Sequence, residues 1–207
     1  MTGGLRRFLE PAVRPAPGER CELCTEPVGP GHGHVIDLES RAIMCTCRGC
    51  YLLFTHTGAG GKRHRAVPTR YLHAPRFPAG SALWESAGVP VRMAFLFHNS
   101  VQERTVAFYP SPAGATESLL PLDTWTELLA TQPAFASIAP DVEALLISKH
   151  DVGYECFLVP IDTCYELVGL VRLHWRGFDG GTEAWEAIDG FFAGLRERAT
   201  RVGAVDG

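Results

Sequence analysis

The chain has 207 residues, of which 46% are apolar, and a formal net charge of −4 at pH 7. This length allows one core of moderate size with a small appended module. With this small negative net charge, the protein as a whole has no positive electrostatic field that would attract nucleic acid or an anionic membrane. The N-terminus carries no secretory signal pattern, and no apolar run approaches the roughly 20 residues that span a bilayer. We therefore expect a cytoplasmic protein without a membrane segment.

The order of motifs predicts four regions along the chain. Residues 1–20 are rich in proline and charge and form a flexible arm. Residues 21–57 contain the clustered cysteines and form a small metal module. Residues 58–90 are rich in glycine, proline and aromatic residues and are expected to serve as a linker and connecting segment. Residues 91–207 are expected to fold as a mixed α/β domain.

Five of the seven cysteines follow the patterns Cys21-Glu-Leu-Cys24 and Cys45-Thr-Cys47-Arg-Gly-Cys50. A spacing of two residues lets both sulfurs face one ion, and two such pairs close a tetrathiolate site. In a reducing compartment, clustered cysteines are more often metal ligands than disulfides. The predicted ligands are Cys21, Cys24, Cys47 and Cys50. Cys45 is the alternative to Cys47, because strand alternation places both side chains on one face.

The expected ion is structural zinc, since four thiolates leave no open position for substrate. Iron in the same cage is the alternative and would make a rubredoxin-like electron carrier. Thr25 and Tyr51 follow the two pairs where rubredoxin-type turns favour glycine, which argues for zinc. His32 and His34 are further substitute ligands, because imidazole also binds zinc.

Two short strands at 34–38 and 42–44 predict a hairpin between the cysteine pairs. Residues 51–54 are expected to add a third strand, giving a zinc-ribbon-like β module. The following Gly-rich segment carries a basic patch, made of Lys62, Arg63, Arg65 and Arg70. Because the chain is acidic overall, we interpret this patch as a solvated loop rather than a nucleic-acid site.

The second domain contains an internal repeat that predicts two β-β-α units after a strand at 91–97. The paired strands are expected at 104–109 with 117–120, and at 143–148 with 154–159. The helix that follows each pair begins with Asp-Thr-x-x-Glu, at Asp123 and Asp162. This pattern fits an N-terminal cap or a Thr-x-x-Glu capping box, Thr124 with Glu127 and Thr163 with Glu166. The repeat is therefore interpreted as architecture rather than as a duplicated binding site.

A final amphipathic helix is predicted after residue 181, with Thr182 as its cap. Its apolar stripe is expected to pack on the sheet, and it consists of Trp185, Ile188, Phe191, Phe192 and Leu195. The loop before it carries Trp175, Arg176 and Phe178 among glycines. Aromatic residues and arginine are enriched at interaction hot spots, so these three are candidate partner-binding residues. The alternative is that both rings fold inward.

No motif of a known catalytic constellation is present, so we do not expect an enzyme. Cys156 and Cys164 lie in apolar surroundings, where a thiol is usually inert.

Several stretches carry a family resemblance. They are Cys21–Cys24, His34–Asp37, Cys45–Phe54, Phe108–Ala115, and Cys164–Leu170 with Trp175–Phe178. On these residues the chain resembles an uncharacterised bacterial family, common in actinobacteria, whose members lie beside nickel–iron uptake hydrogenase genes. The resemblance implies an accessory role in hydrogenase assembly, scaffolding or electron transfer.

Together these observations predict an α+β protein with a small N-terminal zinc-ribbon-like β module followed by a mixed α/β domain with two β-β-α units. The expected function is a non-catalytic, metal-binding accessory protein that docks on a larger partner, such as a hydrogenase subunit. An iron electron carrier and a nucleic-acid-binding zinc-ribbon protein are the alternatives.

Overall fold

The structure, a computed structural model, describes residues 19–56, 63–118, 129 and 132–203. It confirms the predicted α+β class. Its strands are β1 (Gly33–Asp37), β2 (Ala42–Thr46), β3 (His64–Ala66), β4 (Leu72–Ala74), β5 (Met93–Asn99), β6 (Arg104–Ser111), β7 (Gly114–Glu117), β8 (Glu143–His150), β9 (Gly153–Pro160) and β10 (Thr200–Arg201). Its α-helices are α1 (Arg48–Leu53), α2 (Gly80–Ala87), α3 (Ile161–His174) and α4 (Gly181–Arg198). Among the described residues, none of these helices combines the length and apolar character that crossing a bilayer requires.

A three-stranded antiparallel sheet in the order β2-β1-β3 forms the N-terminal part. The predicted hairpin is present as β1 and β2. The strand predicted at residues 51–54 is wrong, because α1 occupies Arg48–Leu53 and the third strand is β3. Cys47 caps this helix by accepting the backbone N–H of Cys50. The second cysteine pair therefore starts a helix, and the short apolar run that follows it is helical rather than extended.

The main sheet has seven strands in the order β10-β4-β9-β8-β5-β6-β7, and only β10 and β4 run parallel. The second β-β-α unit is present as β8, β9 and α3. In the first unit, β6 lies where a strand was expected, but the second strand, β7, is Gly114–Glu117 instead of the predicted 117–120, because it pairs with β6 directly across a tight turn. The helix expected from Asp123 lies outside the described residues. The segment 58–90, expected to be connecting chain, contributes β3, β4 and α2.

Both faces of the main sheet are covered. One buried cluster joins sheet residues such as Phe157 to the α4 stripe, in which Ile188, Phe191, Phe192 and Leu195 are buried. The opposite cluster packs α2 and a short 3₁₀ turn against the other face. Ile36 and Leu38, at the end of β1, belong to the first cluster. The small sheet thus shares a hydrophobic core with the large one.

Side-chain caps were predicted for the helices that the structure shows as α3 and α4, and both of these predictions are wrong. α3 begins at Ile161 with Pro160 as its N-cap, so Asp162 and Thr163 lie inside the first turn. The Thr163 hydroxyl bonds the Tyr71 hydroxyl at 3.0 Å instead of capping. The N-cap of α4 is Gly180, which has a φ of 90° and forms no side-chain cap. Thr182 therefore lies inside the first turn of the helix. The predicted box at Thr124 lies outside the described residues.

The three described arginines of the predicted basic patch are bound to carboxylates rather than left in solvent. The pairs are Arg63 with Asp37, Arg65 with Asp141, and Arg70 with Glu143. All three carboxylates are buried. The Arg63 hydrogen bond lowers the pKa of Asp37 to about 2. These arginines neutralise buried charge and tie residues 63–70 to both sheets, while Lys62 lies outside the described residues.

Glu155, a fourth buried carboxylate, makes the stability of the fold sensitive to acid. Arg196, His150 and His73 contact it at 2.5, 2.9 and 3.0 Å. Burial alone would raise the pKa of Glu155, but Arg196 and the two histidines lower it below its usual 4.5. The folded state therefore binds the proton less tightly than the unfolded state, and the carboxylate stabilises the fold above pH 4.5.

That contribution is expected to be lost as the pH falls from 4.5 through the folded pKa. The Glu155→Gln variant should show a lower free energy of unfolding at pH 7 and a weaker pH dependence below 4.5, measured by urea titration. An unchanged slope of stability against pH would contradict this assignment. Glu166→Gln, on the exposed face of α3, is the matched control.

Candidate metal centre

Four cysteine sulfurs converge at one end of the small sheet. The Sγ atoms of Cys21, Cys24, Cys47 and Cys50 all lie within 4.8 Å of one another. The Cys24 and Cys47 sulfurs are 3.6 Å apart. A tetrahedron with metal–sulfur bonds of about 2.3 Å has edges of about 3.8 Å. This four-cysteine site can therefore hold a metal ion with little movement of its side chains.

The first cysteine pair lies on a tight turn whose amides face the sulfurs. The amides of Leu23, Cys24 and Cys47 act to lower the pKa of the Cys21 thiol, and the amide of Glu26 acts in the same way on Cys24. Thr25 has a φ of 66°, the left-handed conformation that glycine usually supplies. The sequence disfavoured a tight turn after Cys24 because no glycine follows it. The structure forms this turn with Thr25 in the position of the glycine.

The second pair is positioned by the hairpin and by α1. β2 ends at Thr46, and Cys47 then caps α1, which carries Cys50 in its first turn. A backbone hydrogen bond of 2.9 Å, from the Glu22 amide to the Cys45 carbonyl, holds the first turn against β2. The two pairs thus come from different local structures, a turn and a helix start.

The thiols of the four-cysteine site cannot all ionise by themselves. Burial raises the pKa of Cys21, but the amide hydrogen bonds outweigh it and lower that pKa to about 6. Burial and the neighbouring thiols raise the pKa of Cys50 to about 12. At Cys24 the Glu26 amide acts to lower the pKa, yet contacts with Cys21 and Cys47 raise it overall. A bound cation would remove this conflict, because it favours every thiolate at once.

Cys45, the predicted alternative ligand, lies in a different group. Its Sγ and one ring nitrogen each of His32 and His34 all lie within 4.8 Å of one another. His34 is the direct cross-strand neighbour of Cys45. His32 lies two positions before His34, so alternation places both rings on the same side. We refer to His32, His34 and Cys45 as the His–Cys triad.

The ring orientation of both histidines is fixed by hydrogen bonds to Nδ1. His34 Nδ1 lies 2.7 Å from the Asp162 carboxylate, on α3, and Asp162 raises the pKa of His34. His32 Nδ1 lies 2.9 Å from the Gly29 carbonyl oxygen. Asp162, which the sequence pattern suggested as a helix cap, instead contacts His34, and this role was not predicted. The His-x-His alternation opposite Cys45 was the signal that could have indicated the triad.

The predicted partner-binding residues of the 175–181 loop lie in different environments. Trp175 packs inward, with its ring 5.9 Å from that of Trp185. Trp185 Nε1 donates to the Asp179 carbonyl at 2.9 Å, and the backbones of Arg176 and Gly180 form an isolated antiparallel β-bridge. Phe178, at the tip of the loop, is fully exposed. One ring therefore anchors the loop and the other faces solvent.

The remaining two cysteines are unsuited to nucleophilic chemistry. Cys156 and Cys164 are completely buried, and burial raises the pKa of both thiols well above the usual value. A protonated, inaccessible thiol is a poor nucleophile.

Residues 20–199 match the model of a family of unknown function, DUF5947. Because the match spans most of the chain, the protein belongs to this family. No curated protein and no solved structure gives a significant match.

Proposed function

We propose that this protein is a non-catalytic accessory protein, held in shape by a structural zinc ion, that docks on a larger protein. The observation that carries the proposal is the convergence of Cys21, Cys24, Cys47 and Cys50 within 4.8 Å. Four thiolates complete a tetrahedral shell, and a closed shell of this kind stabilises a fold instead of binding substrate.

The difference between the two cysteine pairs supports zinc over iron. Backbone amides act to lower the pKa of both thiols of the first pair, Cys21 and Cys24, whereas in the second pair Cys47 accepts one bond of 3.5 Å, from the Cys50 amide. Hydrogen bonds to sulfur are a main determinant of the reduction potential of an iron–sulfur centre. An electron carrier would gain from amide donors on both pairs, while a structural zinc ion requires only the four ligands.

An iron electron carrier remains the second candidate, because the amide-rich turn at Cys21–Cys24 also suits iron. The two candidates differ in the ion bound to the purified protein. Elemental analysis is expected to give zinc and a colourless protein. Stoichiometric iron with a visible sulfur-to-iron absorption band would favour the electron carrier and overturn the zinc assignment.

The docking surface that we propose is centred on Phe178. The side chain is fully exposed although its loop is anchored by Trp175 and Trp185. A rigid loop that presents an aromatic ring loses little conformational entropy on binding, and aromatic residues are enriched at hot spots. A nickel–iron hydrogenase subunit is the proposed partner, on the family resemblance carried by Cys45–Phe54 and Trp175–Phe178.

The Phe178→Ser variant is expected to lose this interaction without loss of stability. When tagged wild-type protein is recovered from cells that express the hydrogenase, we expect the hydrogenase subunit to co-purify. Truncating a hot-spot aromatic costs about 2 kcal/mol or more, so the affinity should fall at least roughly 30-fold and the recovered hydrogenase should fall with it. Val152→Ser, at an equally exposed apolar position on the β8–β9 turn, is the control. Equal recovery with both variants, or no hydrogenase with the wild type, would refute the docking proposal.

A further inference from the structure

We infer that the His–Cys triad is a second metal site, separate from the four-cysteine site, which binds a divalent transition-metal ion such as zinc through His32 Nε2, His34 Nε2 and Cys45 Sγ. The two groups of side chains share no residue. This inference goes beyond the proposed function, which needs only the four-cysteine site.

The spacing of the three ligand atoms suits one ion. Three atoms that all lie within 4.8 Å of one another leave a point no more than about 2.8 Å from each of them. Zinc binds imidazole nitrogen at about 2.0–2.1 Å and thiolate at about 2.3 Å. Small rotations of the side chains close this difference. The His32 and His34 ring centroids are 4.9 Å apart and the ring planes are at 74°, so the two rings are in contact edge to face and are not stacked.

The buried face of His32 provides an independent observation. Its Nε2 is buried and has no hydrogen-bond partner within the described part of the chain. An unsatisfied buried nitrogen costs free energy, and such atoms are rare in folded proteins. With Nδ1 occupied by the Gly29 carbonyl, Nε2 is the ring nitrogen that is left with a free lone pair. A metal ion there satisfies it.

The outer contacts of the triad are those of metal-binding histidines. A ligating histidine almost always donates its second ring N–H to a carboxylate or a backbone carbonyl, which fixes the tautomer that exposes the other nitrogen. His34 has Asp162 in this position, and His32 has the Gly29 carbonyl. Each of the two rings therefore presents Nε2 as the free acceptor.

The surroundings of the triad are negatively charged. Glu19 lies 3.5 Å from His32 Nδ1, and the Glu22 carboxylate accepts the Cys45 amide at 2.6 Å. With Asp162 hydrogen-bonded to His34, three carboxylates lie around the two imidazoles and the Cys45 thiol. A divalent cation balances this charge.

A site with two histidines and one cysteine leaves a fourth coordination position. Tetrahedral zinc with three protein ligands takes water or an external donor at the fourth position. The triad thus differs in kind from the closed four-cysteine site, because it can exchange a ligand or accept a donor atom from a partner protein.

Metal stoichiometry of the full-length protein tests the inference. After removal of metal and reloading with excess Zn²⁺ and gel filtration, we expect two zinc ions per wild-type chain. His34→Gln and Cys45→Ser should each bind one, and His56→Gln, an exposed histidine outside both groups, should bind two. Circular dichroism would verify that each variant is folded. One zinc ion in the wild type, or two in both triad variants, would overturn the inference.

Two further measurements separate this inference from the proposed function. Asp162→Asn keeps the ligands but alters the contact to His34, so affinity for the second ion should fall by roughly 10- to 100-fold while the first ion is retained. Co²⁺ should occupy two sites with different visible spectra, and His34→Gln should remove only one of them. A structural zinc with a single cobalt spectrum would leave the proposed function intact and refute the second site.

Discussion

Replacing Cys47 by serine is expected to abolish metal binding at the four-cysteine site and to unfold the Cys21–Cys24 turn and α1. Structural zinc contributes about 10–16 kcal/mol to the folding of small zinc-dependent units at neutral pH. The helix α1 has few other sources of stability, since none of its residues is buried, whereas β1 is also held by the main core through Ile36. Cys47 is also the N-cap of that helix, and serine is a preferred N-cap residue, so the substitution removes the metal ligand while the helix keeps a cap. Bound metal and amide hydrogen exchange across residues 21–53 would measure the effect.

Cys45→Ser is the matched control, because it removes a thiol two positions away on the same stretch of chain. We expect it to keep the metal of the four-cysteine site and slow exchange in α1. The comparison also decides between Cys45 and Cys47 as the fourth ligand of that site. Loss of this metal in Cys45→Ser, with retention in Cys47→Ser, would contradict the assignment. In both variants the amides of β8, at the centre of the main sheet, should remain protected.

The grouping of the four cysteines could be predicted from the sequence because it depends on local geometry. A Cys-x-x-Cys spacing brings two sulfurs together whether the backbone forms a turn or begins a helix. The pattern therefore selected the four sulfurs that lie together, but it did not distinguish the turn at Cys21–Cys24 from the helix start at Cys47–Cys50. Thr25 in a left-handed conformation was equally invisible, since threonine rarely adopts it.

The carboxylate that contacts the His–Cys triad could not be predicted in the same way. His34 and Asp162 are 128 positions apart in the chain and meet only because the small sheet packs against α3. Asp162 also lies in a pattern that fits a helix cap, and a cap explained its presence without any distant contact. The carboxylate partners of Arg65 and Arg70 are likewise more than 70 positions away. Sequence patterns report neighbours along the chain, whereas these contacts depend on tertiary packing.

Replacing Arg70 by methionine is expected to destabilise the fold by about 2–4 kcal/mol. Glu143 is 1% exposed, and Arg70 holds both of its carboxylate oxygens, at 2.9 and 2.6 Å. Removing one partner of a buried pair costs about 3–5 kcal/mol, because the other charge is left without compensation. Arg70 is 37% exposed, so water recovers part of this loss. Urea unfolding at pH 7 would measure the difference.

The position of this pair explains why its effect should exceed that of other ion pairs in the protein. Arg92 and Asp151 lie 3.6 Å apart but are 65% and 89% exposed, so Arg92→Met should change the free energy of unfolding by less than about 1 kcal/mol. Adding Glu143→Gln to Arg70→Met should restore part of the stability, because the neutral amide leaves no buried charge. If Arg70→Met and Arg92→Met changed the free energy of unfolding equally, Arg70 would contribute no more than an exposed surface residue. Its proposed function as the counter-charge that fastens residues 63–70 to the main sheet would then be wrong.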